Sequence, residues 1–100
     1  MVLVTAPSVE KAARIARALV VERLAACGNV VPGVRSFFRW EGKVRSEPEV
    51  LLVLKTTRDR FQELRARVLS LHPYQVPEVV ALPIEAGHAA YLDWIASSTR

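Results

Sequence analysis

The chain has 100 residues, 51% of them hydrophobic, and 14 Lys and Arg against 10 Asp and Glu give it a net charge of +4. That length suits one hydrophobic core, with residues 1–100 as a single domain, and a lone cysteine, Cys27, excludes an intramolecular disulfide framework. No apolar run approaches the roughly 18 residues that a bilayer span needs, and the start at Met1–Thr5 is too short and uncharged for a secretory signal, so the expectation is a cytoplasmic protein with no membrane partner.

Met1–Thr5 reads as a buried strand, an apolar β-branched run stopped by Ala6 and Pro7. Ser8 is placed to cap a helix whose apolar positions Val9, Ala12, Ala13, Ala16, Leu19 and Val20 follow a helical period, while Glu10, Lys11, Arg14 and Arg17 fall elsewhere. From Leu24 the pattern becomes that of a second strand, kinked at Pro32 and Gly33. It resumes over Val34–Trp40 with Arg35, Phe37 and Arg39 on one face and Ser36, Phe38 and Trp40 on the other. Glu41, Gly42 and Lys43 turn the chain back.

Glu49–Thr56 is the third strand, and its nearly unbroken aliphatic run predicts a central strand covered on both faces. Thr56 or Thr57 caps a second helix with Phe61, Leu64, Val68 and Leu71 on its inner stripe, ended by His72 and Pro73. A fourth strand follows over Glu78–Ile84, which Pro83 marks as close to an edge. A short last helix from Gly87 carries Tyr91, Leu92, Trp94 and Ile95, with Asp93 outward. The order βαββαβ plus a C-terminal helix is the α+β, ferredoxin-like split βαβ arrangement, an antiparallel sheet with both long helices on one face.

Folds of this kind host metal carriers, RNA binders, small phosphatases and trimeric signalling proteins, so the sites must decide. A soft-metal carrier would place Cys-x-x-Cys after the first strand, where this chain has Thr5, Ala6, Pro7 and Ser8. The two central strands lack the stacking aromatics of an RNA platform, and the arginines scatter from Arg14 to Arg100 as on a solvated surface, so no nucleic-acid partner is expected. The two histidines, His72 and His88, fall at helix ends, where His72 suits the macrodipole or a cap. No catalytic constellation is visible, and the expectation is a protein that is not an enzyme. Cys27 reads as a small core hydrophobe. One Cys with one or two His is too few for a closed metal site in one subunit, which leaves a site shared between subunits open.

Phe37, Phe38 and Trp40 admit three readings: core, subunit interface or ligand platform. An interface is favoured, because both faces of the hairpin carry a large aromatic and the small core cannot absorb all the apolar surface.

The runs Arg23-Leu24-Ala25-Ala26-Cys27-Gly28-Asn29-Val30-Val31-Pro32-Gly33, Trp40-Glu41-Gly42-Lys43, Leu54-Lys55-Thr56-Thr57, His72-Pro73-Tyr74-Gln75-Val76-Pro77-Glu78 and Tyr91-Leu92-Asp93-Trp94-Ile95 resemble the CutA divalent-cation tolerance proteins. The likeness covers essentially the whole chain in order. It implies a homotrimer of ferredoxin-like subunits with the hairpin around Trp40 extending sheets across subunit boundaries. It also implies a role in tolerance of copper and other divalent metals, with no enzymatic reaction. Cys27 and His72 match residues suggested as copper ligands in some relatives. Val4 and Leu71 stand where relatives have a further Cys and His, a loss that weakens copper binding. No cofactor is required on this reading; copper or another divalent cation is an optional ligand, and the protein partner is unknown. The alternative is a trimeric small-ligand module similar to PII proteins, or a protein-recruiting scaffold. For the PII-like case, Lys55, His72, Tyr74 and Glu78 would line an intersubunit cleft with Trp40 nearby.

Overall fold

A computed structural model describes residues 1–100. Strand β1 spans Val2–Ala6, helix α1 Val9–Val21, β2 Cys27–Trp40 and β3 Lys43–Lys55. A 3-10 turn at Arg58–Arg60 leads into α2, Phe61–Leu71, followed by β4, Val79–Ala81, and α3, Ala89–Ser98. The sheet order is β2-β3-β1-β4, and every pairing is antiparallel. This is the expected ferredoxin-like α+β arrangement.

Alternation along the strands buries one face of the sheet. Val2, Val4, Leu52 and Leu54 pack against Ile15, Leu19, Leu64 and Val68 of α1 and α2, while Val50 packs with Ala6 and Ala12. The helix begins as expected, with the Ser8 hydroxyl accepting from the Lys11 amide at 3.1 Å. Its buried stripe differs: Ala12, Ile15, Ala16 and Leu19 face the core, while Val9, Ala13 and Val20 are exposed. A stripe centred on Ala12 and Ala16 brings α1 close to β2, where Gly28 leaves only 3.0 Å between an added Cβ and Ala16.

Thr56 does not cap α2. Its hydroxyl donates instead to the Leu24 carbonyl at 2.7 Å, tying the end of β3 to the loop before β2. β4 is only three residues long, an edge strand as Pro83 suggested. The largest departure concerns β3, which runs back to Lys43 because it pairs with β2 to the tip, beyond the Glu49 start expected. Glu41 and Gly42 close the hairpin with φ of 51° and 76°, the left-handed pair that a two-residue turn between twisted strands requires.

β1 pairs with β3 only over Val50–Leu54, so the rest of the hairpin is a two-stranded ribbon outside the sheet, and the molecule is 44 Å long by 26 by 21 Å. Near Pro32 and Gly33 the register breaks between Val31 and Val34, the expected kink, with Gly33 at φ 85°.

The expectation that both faces of β3 would be covered is not met within one chain. Val50, Leu52 and Leu54 are buried, but Leu51 and Val53 on the other face are only half-buried. Directly opposed residues of an antiparallel pair point to the same side. Leu3, Val53 and Val80 therefore share the open face with Thr5, Leu51 and Val31. The same face continues up the ribbon through Val34 and Glu49, Ser36 and Glu47, Phe38 and Arg45, to Trp40 and Lys43.

Candidate functional site

Where α2 ends, His72 occupies the C-cap and turns its ring inward, leaving the residue 8% exposed. β4 pairs with β1 only as far as Val4 opposite Val79, so Thr5 lies past the end of that ladder. The His72 ring takes the vacant place. Its Nε2 lies 2.7 Å from the Thr5 carbonyl and its Nδ1 lies 3.2 Å from the Tyr74 backbone nitrogen. A carbonyl can only accept and an amide N–H only donate, so Nε2 carries the proton and Nδ1 accepts. Both ring nitrogens are therefore committed.

Tyr74 lies against that ring, with centroids 4.7 Å apart, and its hydroxyl donates to Glu49 Oε2 at 2.7 Å. Burial of the phenol, then the hydrogen bond to Glu49 and the negative charges of Glu49 and Glu47, push the Tyr74 pKa far above the usual tyrosine value. The result is a chain of contacts on the open face, Thr5–His72–Tyr74–Glu49, at the point where sheet becomes ribbon.

Cys27 is at the far end of the face. It pairs with Lys55, four positions along β3 from the Leu51 that pairs with Thr5, about 13 Å at the usual strand rise. It is half-buried rather than a core residue, with its Sγ 3.5 Å from the Tyr91 hydroxyl. That contact, with partial desolvation, raises the Tyr91 pKa. Tyr91 in turn tilts against Trp94 at 5.5 Å. The Lys55 ammonium donates to the Asn29 side chain beside it.

The two residues matched to copper ligands are thus not brought together, and no group of three or more His, Cys, Asp and Glu stands at metal-binding distance. With the His72 ring engaged at both nitrogens, the donor set of one chain does not fit a bound transition metal. The cleft residues are dispersed too: Trp40, opposite Lys43 at the tip, stands twelve β3 positions from Lys55, about 40 Å. Tyr74 is midway, joined to the face through Glu49, and Glu78 is exposed in the loop before β4. Glu49 was missed in the sequence. Its one signal was a carboxylate at the border of an aliphatic run. His88, at the N-cap of α3, makes no side-chain cap bond.

A groove of about 540 Å³ lies between the end of β4, the start of α2 and α3, lined by Phe61, Leu82, Pro83, Ile84 and Leu92 together with Arg58 and Gln62. It contains none of the expected site residues. No helix is long and apolar enough to cross a membrane.

The sequence model of a protein family, described as CutA1 divalent ion tolerance protein, matches residues 1–98. A divalent-cation tolerance protein CutA from Thermus thermophilus is 56% identical over 99 residues, covering 99% of this chain and 96% of the relative, and its solved structure superposes with a TM-score of 0.96. The chloroplastic protein CutA of Arabidopsis thaliana is 47% identical over the full chain, which spans 55% of that longer relative. A structure described as a PII-like protein CutA from a Nostoc species, in apo form, is 38% identical, covers 99% of this chain and 95% of its own, and gives a TM-score of 0.91.

Proposed function

The chain belongs to the CutA1 divalent ion tolerance family, and from that premise we propose that it serves divalent-ion tolerance as a cytoplasmic ring of three copies, without catalysing a reaction and without a required cofactor. One observation carries the assembly: an open sheet face bearing Leu3, Leu51, Val53 and Val80 that continues into a ribbon bearing Phe38 and Trp40. A two-stranded ribbon alone is marginally stable in water, and an apolar face of this extent favours a partner. Further copies of the same chain supply one. A ribbon from one copy laid on the sheet of the next is a head-to-tail contact, which closes into a ring when the rotation between copies closes. Metal would then act through a site built by the ring or through another protein, since one chain offers no donor set.

Light scattering on purified protein tests this reading. Three times the chain mass of 11.1 kDa is expected, and a monomer at micromolar concentration overturns it.

A second reading has its own support in the PII-like description of the Nostoc relative. In it, the ring binds a small anionic molecule between subunits, with Lys55, Tyr74, Glu78 and Trp40 contributed by different copies. Calorimetric titration with Cu(II), Zn(II) and nucleotides separates metal from small-ligand binding, and silence toward all of them favours a protein-recruiting scaffold.

A further inference from the structure

Glu49 is 9% exposed, and no Lys, Arg or His stands within 4.0 Å of its carboxylate; the chain's ion pairs are Arg45–Glu41, Arg60–Glu63 and Arg67–Glu22. Its one hydrogen bond comes from the Tyr74 hydroxyl. A carboxylate nearly withdrawn from water, with its second oxygen still reaching solvent, gains from a cation that faces it. Glu49 points onto the open face, directly below the ribbon, with Glu47 two positions along the same face. The ribbon carries the complementary charge. On the same face as Glu49, Lys43 and Arg45 stand near its tip; Lys43 meets no carboxylate within its own chain and Arg45 reaches Glu41 only at 4.0 Å.

We propose that Glu49 is half of an ion pair completed between copies, its cation being Lys43 or Arg45 from the ribbon tip of the neighbouring copy. The inference rests on the ring-of-three reading and adds to it the contact that sets the register. Apolar surfaces tolerate sliding, whereas a buried carboxylate that finds its cation in one position only does not. The Tyr74 hydroxyl and, behind it, the His72 ring hold the carboxylate toward the incoming ribbon. The three copies would each give one cation and receive one, so a single pair occurs three times around the ring.

Glu49→Gln is the decisive variant, because a glutamine oxygen still accepts the Tyr74 hydroxyl while the charge is gone. Subunit dissociation on dilution, followed by native mass spectrometry, should show assembly weakened about tenfold or more. Of Lys43→Gln and Arg45→Gln, which alter exposed tip positions and leave the subunit fold intact, one should weaken assembly to the same degree and add nothing when combined with Glu49→Gln. The proposal falls if wild type is trimeric and Glu49→Gln assembles as tightly or more tightly, the outcome for a buried charge with no partner. It falls equally if both combinations are additive. A monomeric wild type would instead remove the ring-of-three reading itself.

Discussion

His72 closes the edge of the sheet over Thr5, its Nε2 donating to the Thr5 carbonyl at 2.7 Å across 67 residues of sequence. The bond replaces the partner that a longer β4 would have provided, so its loss strands a carbonyl in a half-buried place. His72→Ala should destabilise the protein by about 1–3 kcal/mol. His72→Gln, whose amide nitrogen reaches where Nε2 does, should recover part of that. Urea unfolding of the three proteins checks the ranking, and an Ala variant as stable as wild type would show that water satisfies Thr5.

Both tyrosines have raised pKa values, Tyr74 through burial and Glu49 and Tyr91 through its contact with Cys27. A phenol whose pKa is higher folded than unfolded contributes stability that is complete below the unfolded value near 10 and is lost as pH climbs toward the folded one. Stability should therefore fall with rising pH above about 10 on this account. Absorbance titration should show less phenolate at pH 10 in native than in unfolded protein, and in Glu49→Gln the Tyr74 step should move down. An unmoved step would mean that burial alone sets it.

Much of this was legible in the residues. The aliphatic run from Val50 to Leu54 marks β3 as central, and the break at Pro32 and Gly33 marks the bulge, because both are local signals of packing and backbone geometry. The ribbon's length was not, since Lys43–Pro48 is largely polar and becomes a strand only by pairing with Arg35–Trp40. The α1 stripe was misplaced toward Val9 and Val20, which are exposed, whereas Ile15 faces the core. Thr56 looked like a cap until a carbonyl 32 residues away claimed its hydroxyl. The Thr5–His72–Tyr74–Glu49 chain joins three distant segments, and no spacing in one sequence announces it.

Gly28 tests how tightly α1 lies on β2. A methyl group there would meet Ala16 Cβ and Leu54 Cδ2, each at 3.0 Å, so helix or strand must shift. Gly28→Ala should cost about 1–3 kcal/mol, as overpacking of a well-filled core does. Thermal unfolding measures it, and an unchanged midpoint would mean that α1 rides over the sheet with slack.

Trp40 is 36% exposed in the single chain and bonded through its indole nitrogen only to Glu41 at 3.0 Å, so the subunit itself gains little from it. Trp40→Ala should leave the monomer's circular dichroism unchanged while weakening assembly by about 2 kcal/mol or more, the cost of truncating a buried interface aromatic. Phe37, on the opposite ribbon face and 72% exposed, provides the comparison. If Phe37→Ala dissociates the assembly and Trp40→Ala does not, the ribbon packs through its other face.

Copper affinity is the last prediction, and the His72 ring decides it. A metal could bind Nδ1 only by displacing the Tyr74 amide, or Nε2 only by taking its proton and orphaning Thr5, and either exchange subtracts a buried hydrogen bond from the binding energy. Cys27 stands about 13 Å away along the sheet and cannot join it as a second ligand in the same chain. Cu(II) should therefore bind no tighter than micromolar, about 8 kcal/mol at the 1 M standard state. Cys27→Ser and His72→Gln should each change that weak binding by less than tenfold, about 1.4 kcal/mol. Calorimetry on the assembled protein is the test. Nanomolar binding abolished by His72→Gln would mean that the assembly turns this ring out of its bond to Thr5, and binding abolished by Cys27→Ser alone would place a site at the Tyr91 end of the face.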